Sequence, residues 1–234
     1  VYRSREAAGT LRSRADDRPA RMLRYLTAGE SHGRALGVIV EGLPAGLEVT
    51  VEDVSAELAR RRLGFGRGPR QRFERDELSL VGGVRHGRTL GGPVLIEVPN
   101  PEWPKWEQEM SPAPGEPSKR LTAPRPGHAD LAAMQKYGYD DARDALERAS
   151  ARETAARVAA GALAKLLLRR IGVEIVSHVV AMGGVSAPAG VRPTPADLEA
   201  VDASPVRCFD PAASEAMVAA IKAAAKQGDS VGGI

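Results

Sequence analysis

A single cysteine, Cys208, stands in 234 residues. No disulfide can close within the chain, and such usage fits a reducing compartment. Aromatic residues make up only 4% of it, which leaves a core to be built from Val, Leu, Ile and Ala. No apolar run approaches the roughly 18 residues of a spanning helix. Residues 1–21 lack the apolar stretch of a secretory signal. The four histidines and one cysteine form no cluster with metal-ligand spacing, so no metal site is expected. These absences exclude a disulfide scaffold, a helical membrane protein and a zinc module, and the expectation is a cytoplasmic protein without a membrane partner.

Charge is abundant but nearly balanced, with a formal net charge of +3. Six arginines fall in residues 1–21 against Glu6, Asp16 and Asp17, which leaves 27 residues of each sign in the rest. The body is neutral, and a general nucleic-acid binder would need a basic face on the domain itself. One local excess exists: Arg60, Arg61, Arg62, Arg67, Arg70, Arg72 and Arg75 lie together, with Glu74 the only acid among them. The first 21 residues show no hydrophobic period and read as a disordered or non-native extension, with Met22 as the start of the domain. Their basic, Ser-containing character would suit a transit peptide, against which the three acids argue.

Periodicity places the elements. Val38–Val40, bounded by glycine and proline, reads as a strand. Thr50 can cap a helix in which Asp53 favours the first turn and Val51, Val54 and Leu58 recur until Gly64. Residues 78–100 read as two strands joined by a Gly-rich turn. Residues 99–126 hold eight of the seventeen prolines, an irregular excursion of the length usually associated with function or disorder. The longest helix is expected from about Ser150 to Ile171, opened by an S-x-x-E capping box of Ser150 and Glu153, with Val158, Leu163, Leu166 and Leu167 facing inward. Residues 173–182, "VEIVSHVVAM", read as another strand. Asp210 and Pro211 open a final Ala-rich helix that ends near Gly228, with Met217, Val218 and Ile221 on its apolar side. The irregular alternation favours an α+β layered fold over a doubly wound parallel sheet.

The stretch "AGESHGRALG" contains G-x-S-x-G, the nucleophile elbow of an α/β-hydrolase. That elbow needs a strand before the serine and a helix directly after it. Here a strand follows Ser31, and the hydrolase reading fails on context. Ser31 and His32 nevertheless sit among glycines, where backbone can approach a ligand closely. His128, in "PRPGHAD", ends the Pro-rich excursion beside Arg125 and suits an acid–base group next to an anion. His178 reads as a satisfied core residue and His86 as a turn residue. Arg67 and Arg70, flanked by glycines, could present guanidinium forks to phosphate or carboxylate. In "RASARET", Arg148, Ser150 and Arg152 cluster at a helix N-terminus, where free N–H groups favour anions. The residues thus indicate an enzyme, or a noncatalytic binding module, for a small multiply anionic ligand.

Five stretches carry a resemblance. "AGESHGRALGVIVEGLP", "RRRLGFGRGPRQRFERDE", "VRHGRTLGGPV", "TAPRPGHADLAAMQKYG" and "ERASARETAARVAAGAL" resemble, in order, successive motifs of chorismate synthase. The resemblance runs from Met22 to Ile234. It implies a layered α/β sandwich with mixed or antiparallel sheets, assembled as a homotetramer. It also implies a reaction: 1,4-anti elimination of phosphate from 5-enolpyruvylshikimate 3-phosphate to give chorismate, with reduced FMN and no net redox change. On that resemblance His32 would act as general acid toward the departing phosphate, with Ser31 as a ligand contact. His128 would keep the reduced flavin in its required protonation state. Arg61, Arg67, Arg70, Arg125 and Arg152 would bind substrate anions, and Arg148, Ala149 and Ser150 would contact FMN. Arg61 and Arg67 also match positions associated with NADP, with NADPH as a candidate reductant. Two departures accompany the match: the tail before Met22 lies outside the pattern, and the chain stops at "GDSVGGI" where family members continue. The continuation holds an Arg-Ser-Asp motif and much of the FMN site, so residues 22–234 are expected to be a truncated domain, inactive alone. The rival expectation is a module binding anions or nucleic acid through the Arg60–Arg75 cluster.

Overall fold

The computed structural model describes residues 22–65 and 76–234. Arg67, Arg70, Arg72, Arg75 and the tail lie outside the described residues. The chain enters as a strand β1 (Arg24–Ala28), turns through the GESHG loop into β2 (Ala35–Glu41), and continues to β3 (Ala45–Glu48) and helix α1 (Val51–Arg61). The α1 start is a complete capping box, in which Thr50 Oγ1 accepts from the Asp53 amide and Asp53 accepts from the Thr50 amide. The residues expected to hold two strands carry four: β4 (Ser79–Gly82), β5 (Val84–Arg85), β6 (Arg88–Leu90) and β7 (Val94–Pro99). The extra division comes from His86-Gly87, a two-residue hairpin between β5 and β6 with φ of 49° and 71°. Positive φ at both centres is the geometry whose twist matches a hairpin, which accounts for His86 as a turn residue.

β1, β2, β7 and β4 form one antiparallel sheet in that order, and β3, β6 and β5 form a smaller one. The sequence alternation along β2 and β7 turns Leu36, Val38, Val40, Val94, Ile96 and Val98 to one buried face. After β7 the Pro-rich excursion holds only one short helix, α2 (Trp103–Trp106), before α3 (Asp130–Tyr137) and α4 (Ala142–Arg148). The long helix α5 (Thr154–Arg170) then lies across the sheet's buried face and against α1. Its inward surface is mostly alanine: Ala155, Ala156, Ala159 and Ala162 join Leu163, all at most 2% exposed. Side chains this small let the helix axis approach the sheet, so the core needs few large residues. Val158, Leu166 and Leu167, expected on that face, are only partly buried at its margin.

Two expectations fail here. The S-x-x-E capping box does not form: Ser150 Oγ accepts from the Arg152 amide and caps a 3₁₀ turn over Ala151–Glu153, and the α-helix starts only at Thr154. The Glu153 carboxylate is drawn instead to β1, where it accepts from Thr27 Oγ1 at 2.6 Å. The predicted strand at 173–182 shrinks to β8 (Ala181–Met182), which pairs with β9 (Val185–Ser186). Residues 173–180 find no partner strand among the described residues, and Ile175 stays 53% exposed. After α6 (Leu198–Ala203), α7 (Pro211–Lys226) opens on Asp210, which accepts from Ala213 N at 2.7 Å. A second, smaller apolar cluster gathers Val206, Cys208, Ala213 and a fully buried Met217, with Val218 and Ile221 against it. The result is α+β with antiparallel sheets throughout the described strands, as the alternation indicated.

Candidate functional site

The site grows from the loop between β1 and β2. Gly29 has φ of 102°, and a Cβ there would lie 2.4 Å from Ala35 O, so only glycine fits where the loop folds back over β2. Asn100, just past β7, clamps the loop by donating Nδ2 hydrogens to Ser31 O (3.1 Å) and Gly33 O (3.0 Å). Ser31 is 2% exposed, and the residues after it enter β2, not a helix. A buried serine leading into a strand is not a nucleophile elbow.

Glu147, near the end of α4, holds His32. Ser31 N–H donates to Glu147 O at 2.9 Å, and His32 N–H donates to Glu147 Oε2 at 2.8 Å. The His32 Nδ1 lies 2.8 and 2.9 Å from the two carboxylate oxygens. Trp106 of α2 stacks on the imidazole with ring centroids 3.9 Å apart and 29° between planes. Lys119 and Arg143 lie 3.8 and 5.2 Å from that tryptophan ring. Burial alone would push the Glu147 carboxyl up. The hydrogen bonds from His32 and Arg143 outweigh it and hold Glu147 below the ordinary carboxylate range, so it is ionised at neutral pH.

The expected flavin-contact residues follow directly. Arg148 is exposed, its Nη2 donating to Thr27 O (3.0 Å) and Thr27 Oγ1 (2.8 Å), with Glu153 3.2 Å away. Ala149 ends α4 with its amide on Ala145 O, and Ser150 caps the next turn. Through Glu147 the fold therefore joins Ser31 and His32 to Arg148, Ala149 and Ser150.

Arg61 and Arg152 meet elsewhere. Both pair with Asp76: Arg61 Nη1 at 3.3 Å, and Arg152 Nη1 in a short contact, with side-chain exposures of 6% and 4%. Arg61 also donates to Thr154 Oγ1 and Ala151 O, and Arg152 to Pro99 O. These two arginines knit α1, the 3₁₀ turn and the end of β7 together. The Arg60 side chain pairs with Asp202 at 2.6 Å and Glu57 at 2.7 Å.

Arg125 and His128 form a separate turn. Arg125 donates from Nε (2.8 Å) and Nη2 (2.9 Å) to the Asp130 carboxylate, and its amide does so at 3.0 Å. The bidentate guanidinium holds Asp130 down to about 2 despite desolvation. Arg125 is raised chiefly by that same bond, and the Glu147 charge contributes, which places the turn within electrostatic reach of the His32 pair. His128 is exposed, with its amide on Arg125 O. His178 is not the satisfied core residue expected: its Nδ1 is buried and has no hydrogen-bond partner among the described residues.

Glu147, Trp106, Asn100 and Asp76 were missed by sequence reasoning. Glu147 stood inside a quoted motif, beside Arg148. Trp106 is one of only two tryptophans, set in the proline-rich excursion. Nothing in the spacing marked Asn100 or Asp76. No group of three metal-ligating side chains occurs among the described residues. No helix among them is long and apolar enough to cross a membrane.

Fold and site together define an α+β protein with a carboxylate-anchored histidine among arginines. The family model for chorismate synthase matches residues 23–234. The chain is 62% identical over 224 residues to chorismate synthase of Thermobifida fusca, covering 91% of this chain and 57% of that protein. It is 64% identical over 222 residues to chorismate synthase of Frankia casuarinae, covering 91% and 56% respectively. A solved crystal structure of chorismate synthase superimposes with a TM-score of 0.70 at 35% identity, covering 92% of this chain and 57% of the other. The chain belongs to the chorismate synthase family. It spans little more than half the length of the curated relatives it matches.

Proposed function

We propose that the chain forms part of an enzyme that converts 5-enolpyruvylshikimate 3-phosphate to chorismate by 1,4-anti elimination of phosphate. The observation that carries this reading, beyond family membership, is the anchored His32: a loop imidazole tied to an ionised carboxylate and stacked by a tryptophan, with Arg143 on that carboxylate and Lys119 over the tryptophan ring. In the reaction the C–O bond to phosphate breaks with its electron pair leaving on the phosphate, while the C6 hydrogen is lost overall as a proton to solvent and its bonding pair stays in the ring to complete the new double bond. His32 donates a proton to the departing group, Ser31 is the proposed ligand contact from the same loop, and Arg125 supplies positive charge. Arg61 and Arg152 are proposed substrate contacts, but any ligand anion would have to compete with Asp76 for them. Arg67 and Arg70, proposed for the same role, lie outside the described residues.

Reduced FMN is the proposed cofactor; when bound, it supplies the electron-rich ring that this elimination requires without net redox change. Arg148, Ala149 and Ser150 would hold it. They fit an anionic group in charge and access, since the Arg148 side chain is 43% exposed and Ser150 opens a helical segment whose first amides favour anions. His128 would guard its protonation state. NADPH is the candidate reductant, through Arg61 and Arg67. A homotetramer is the proposed assembly; Leu26 and Ile39, register partners on the face of β1 and β2 away from α5, are 70% and 44% exposed, and exposed apolar patches mark association surfaces.

The test is anaerobic incubation of the full-length protein with the substrate and reduced FMN. Chorismate and phosphate should appear in equal amounts. No chorismate, together with DNA binding that falls steeply with salt, would favour the anion-binding module. The pairing of Arg60 with Glu57 and Asp202 speaks against that module, because this guanidinium is already engaged within the protein.

A further inference from the structure

Resting on the chorismate synthase reading, we propose that Glu147 is the positioning residue for His32, fixing its tautomer and ring plane so that Nε2 is the nitrogen that exchanges the proton. An ionised carboxylate is an acceptor only. Both of its oxygens lie within 2.9 Å of His32 Nδ1, so Nδ1 must carry a hydrogen. In the neutral ring Nε2 is then the basic nitrogen, and in the imidazolium it is the one that gives up its proton. The second freedom, rotation of the ring, is closed by Trp106 stacked at 3.9 Å.

The anchor is itself anchored. The Glu147 side chain is 2% exposed, and Oε1 also accepts from Arg143 Nη1 at 3.0 Å, an i,i+4 pair on α4. Arg143 in turn donates Nε to Lys119 O at 2.6 Å, which ties the excursion carrying Trp106 to the same helix. A buried glutamate would ordinarily be a cost to the fold. Here every polar contact converges on the histidine loop or on the arginine that balances the charge. During the elimination the proton passes from Nε2 to a phosphate oxygen, and Glu147 remains ionised, stabilising the imidazolium before transfer and keeping the correct tautomer after it. Partners of this kind, one step removed from the reacting atoms, typically change activity by about 10–100-fold.

The experiment uses the full-length protein with ring-¹⁵N histidine, the His32 signal being assigned through His32→Gln. The parent should show neutral His32 as the Nδ1–H tautomer. In Glu147→Gln the amide can offer Nδ1 a donor, so the population should move toward Nε2–H. Turnover should fall about 10–100-fold while KM for the substrate stays within about threefold, the pattern of an interaction used in the transition state. Glu147→Asp, which keeps the carboxylate one methylene shorter, should retain the parent tautomer and recover part of the loss; it also serves if the Gln variant does not fold. An Nε2–H tautomer in the parent, or an unchanged kcat in a folded Gln variant, would overturn the proposal. Absence of chorismate formation by the parent would instead sink the activity, and the tautomer measurement would still decide whether Glu147 positions His32.

Discussion

At the scale of single residues the site depends on side chains whose freedom has been removed. His32 is the clearest case, with its ring held at Nδ1 and across its face. His32→Ala should lower turnover of the full-length enzyme by about 10²–10⁴-fold, the range of a general acid, as measured by steady-state chorismate formation. His128→Ala should fall in the same range through the proposed flavin contact, although His128 is exposed and tied only to its own turn. Near-parent turnover in either variant would remove that histidine from the catalytic set. Gly29→Ala tests the loop and not the chemistry: the added Cβ would meet Ala35 O at 2.4 Å in a backbone conformation with φ of 102°. It should destabilise by more than about 1 kcal/mol and weaken activity together with stability.

At the scale of elements, ends and turns carry most of the polar energetics. The Thr50–Asp53 box should make Thr50→Ala cost about 1 kcal/mol in urea unfolding. The Arg125–Asp130 pair links the excursion to the start of α3, and its pH dependence has a defined sign. Asp130 is depressed to about 2 in the folded protein, against about 3.9 in an unfolded chain. A depressed carboxylate contributes stability above the unfolded value and loses it as pH falls through the folded one. The contribution should therefore be complete above about pH 5 and decline between about pH 4 and 2. Screening at a turn whose arginine is 35% exposed leaves it on the order of 1 kcal/mol. Asp130→Asn should remove that amount at neutral pH and flatten the acid limb of the stability profile. An unaltered limb would show that the pair contributes nothing measurable.

At the scale of the whole molecule, two apolar clusters share no residues: one between the four-stranded sheet, α1 and α5, the other around α7, β8 and β9. Links between them include polar contacts such as Arg60 to Asp202 and the Phe65 amide to Pro205 O. Leu163→Ala and Met217→Ala each empty a fully buried position and should each cost about 2–5 kcal/mol. Since the two sites share no partners, the double variant should equal the sum within about 0.5 kcal/mol. A larger coupling in denaturant titrations would mean that the clusters behave as one core.

Much of this protein was legible within short windows of sequence. The α1 cap, the β2 alternation and the Asp210-Pro211 start of α7 are decided by groups within three or four residues of each other, a range over which spacing dictates contact. The loop "GESHG" was marked by composition, and the family by five ordered motifs. Tertiary structure alone decided the rest, because burial and pairing depend on what lies opposite. The Ser150 cap box gave way when Thr27, 126 residues from Glu153, offered it a better donor. The 173–180 segment formed no strand ladder, its backbone bonds lying at Val173, Val179 and Val180, because alternation makes a strand only where another strand lies alongside. Arg152, which reads as a ligand contact, is drawn to Asp76 across 76 residues. Glu147, an ordinary helix glutamate by sequence, reaches His32 across 115 residues; only the packing of α4 under the loop removes the water that would otherwise separate them.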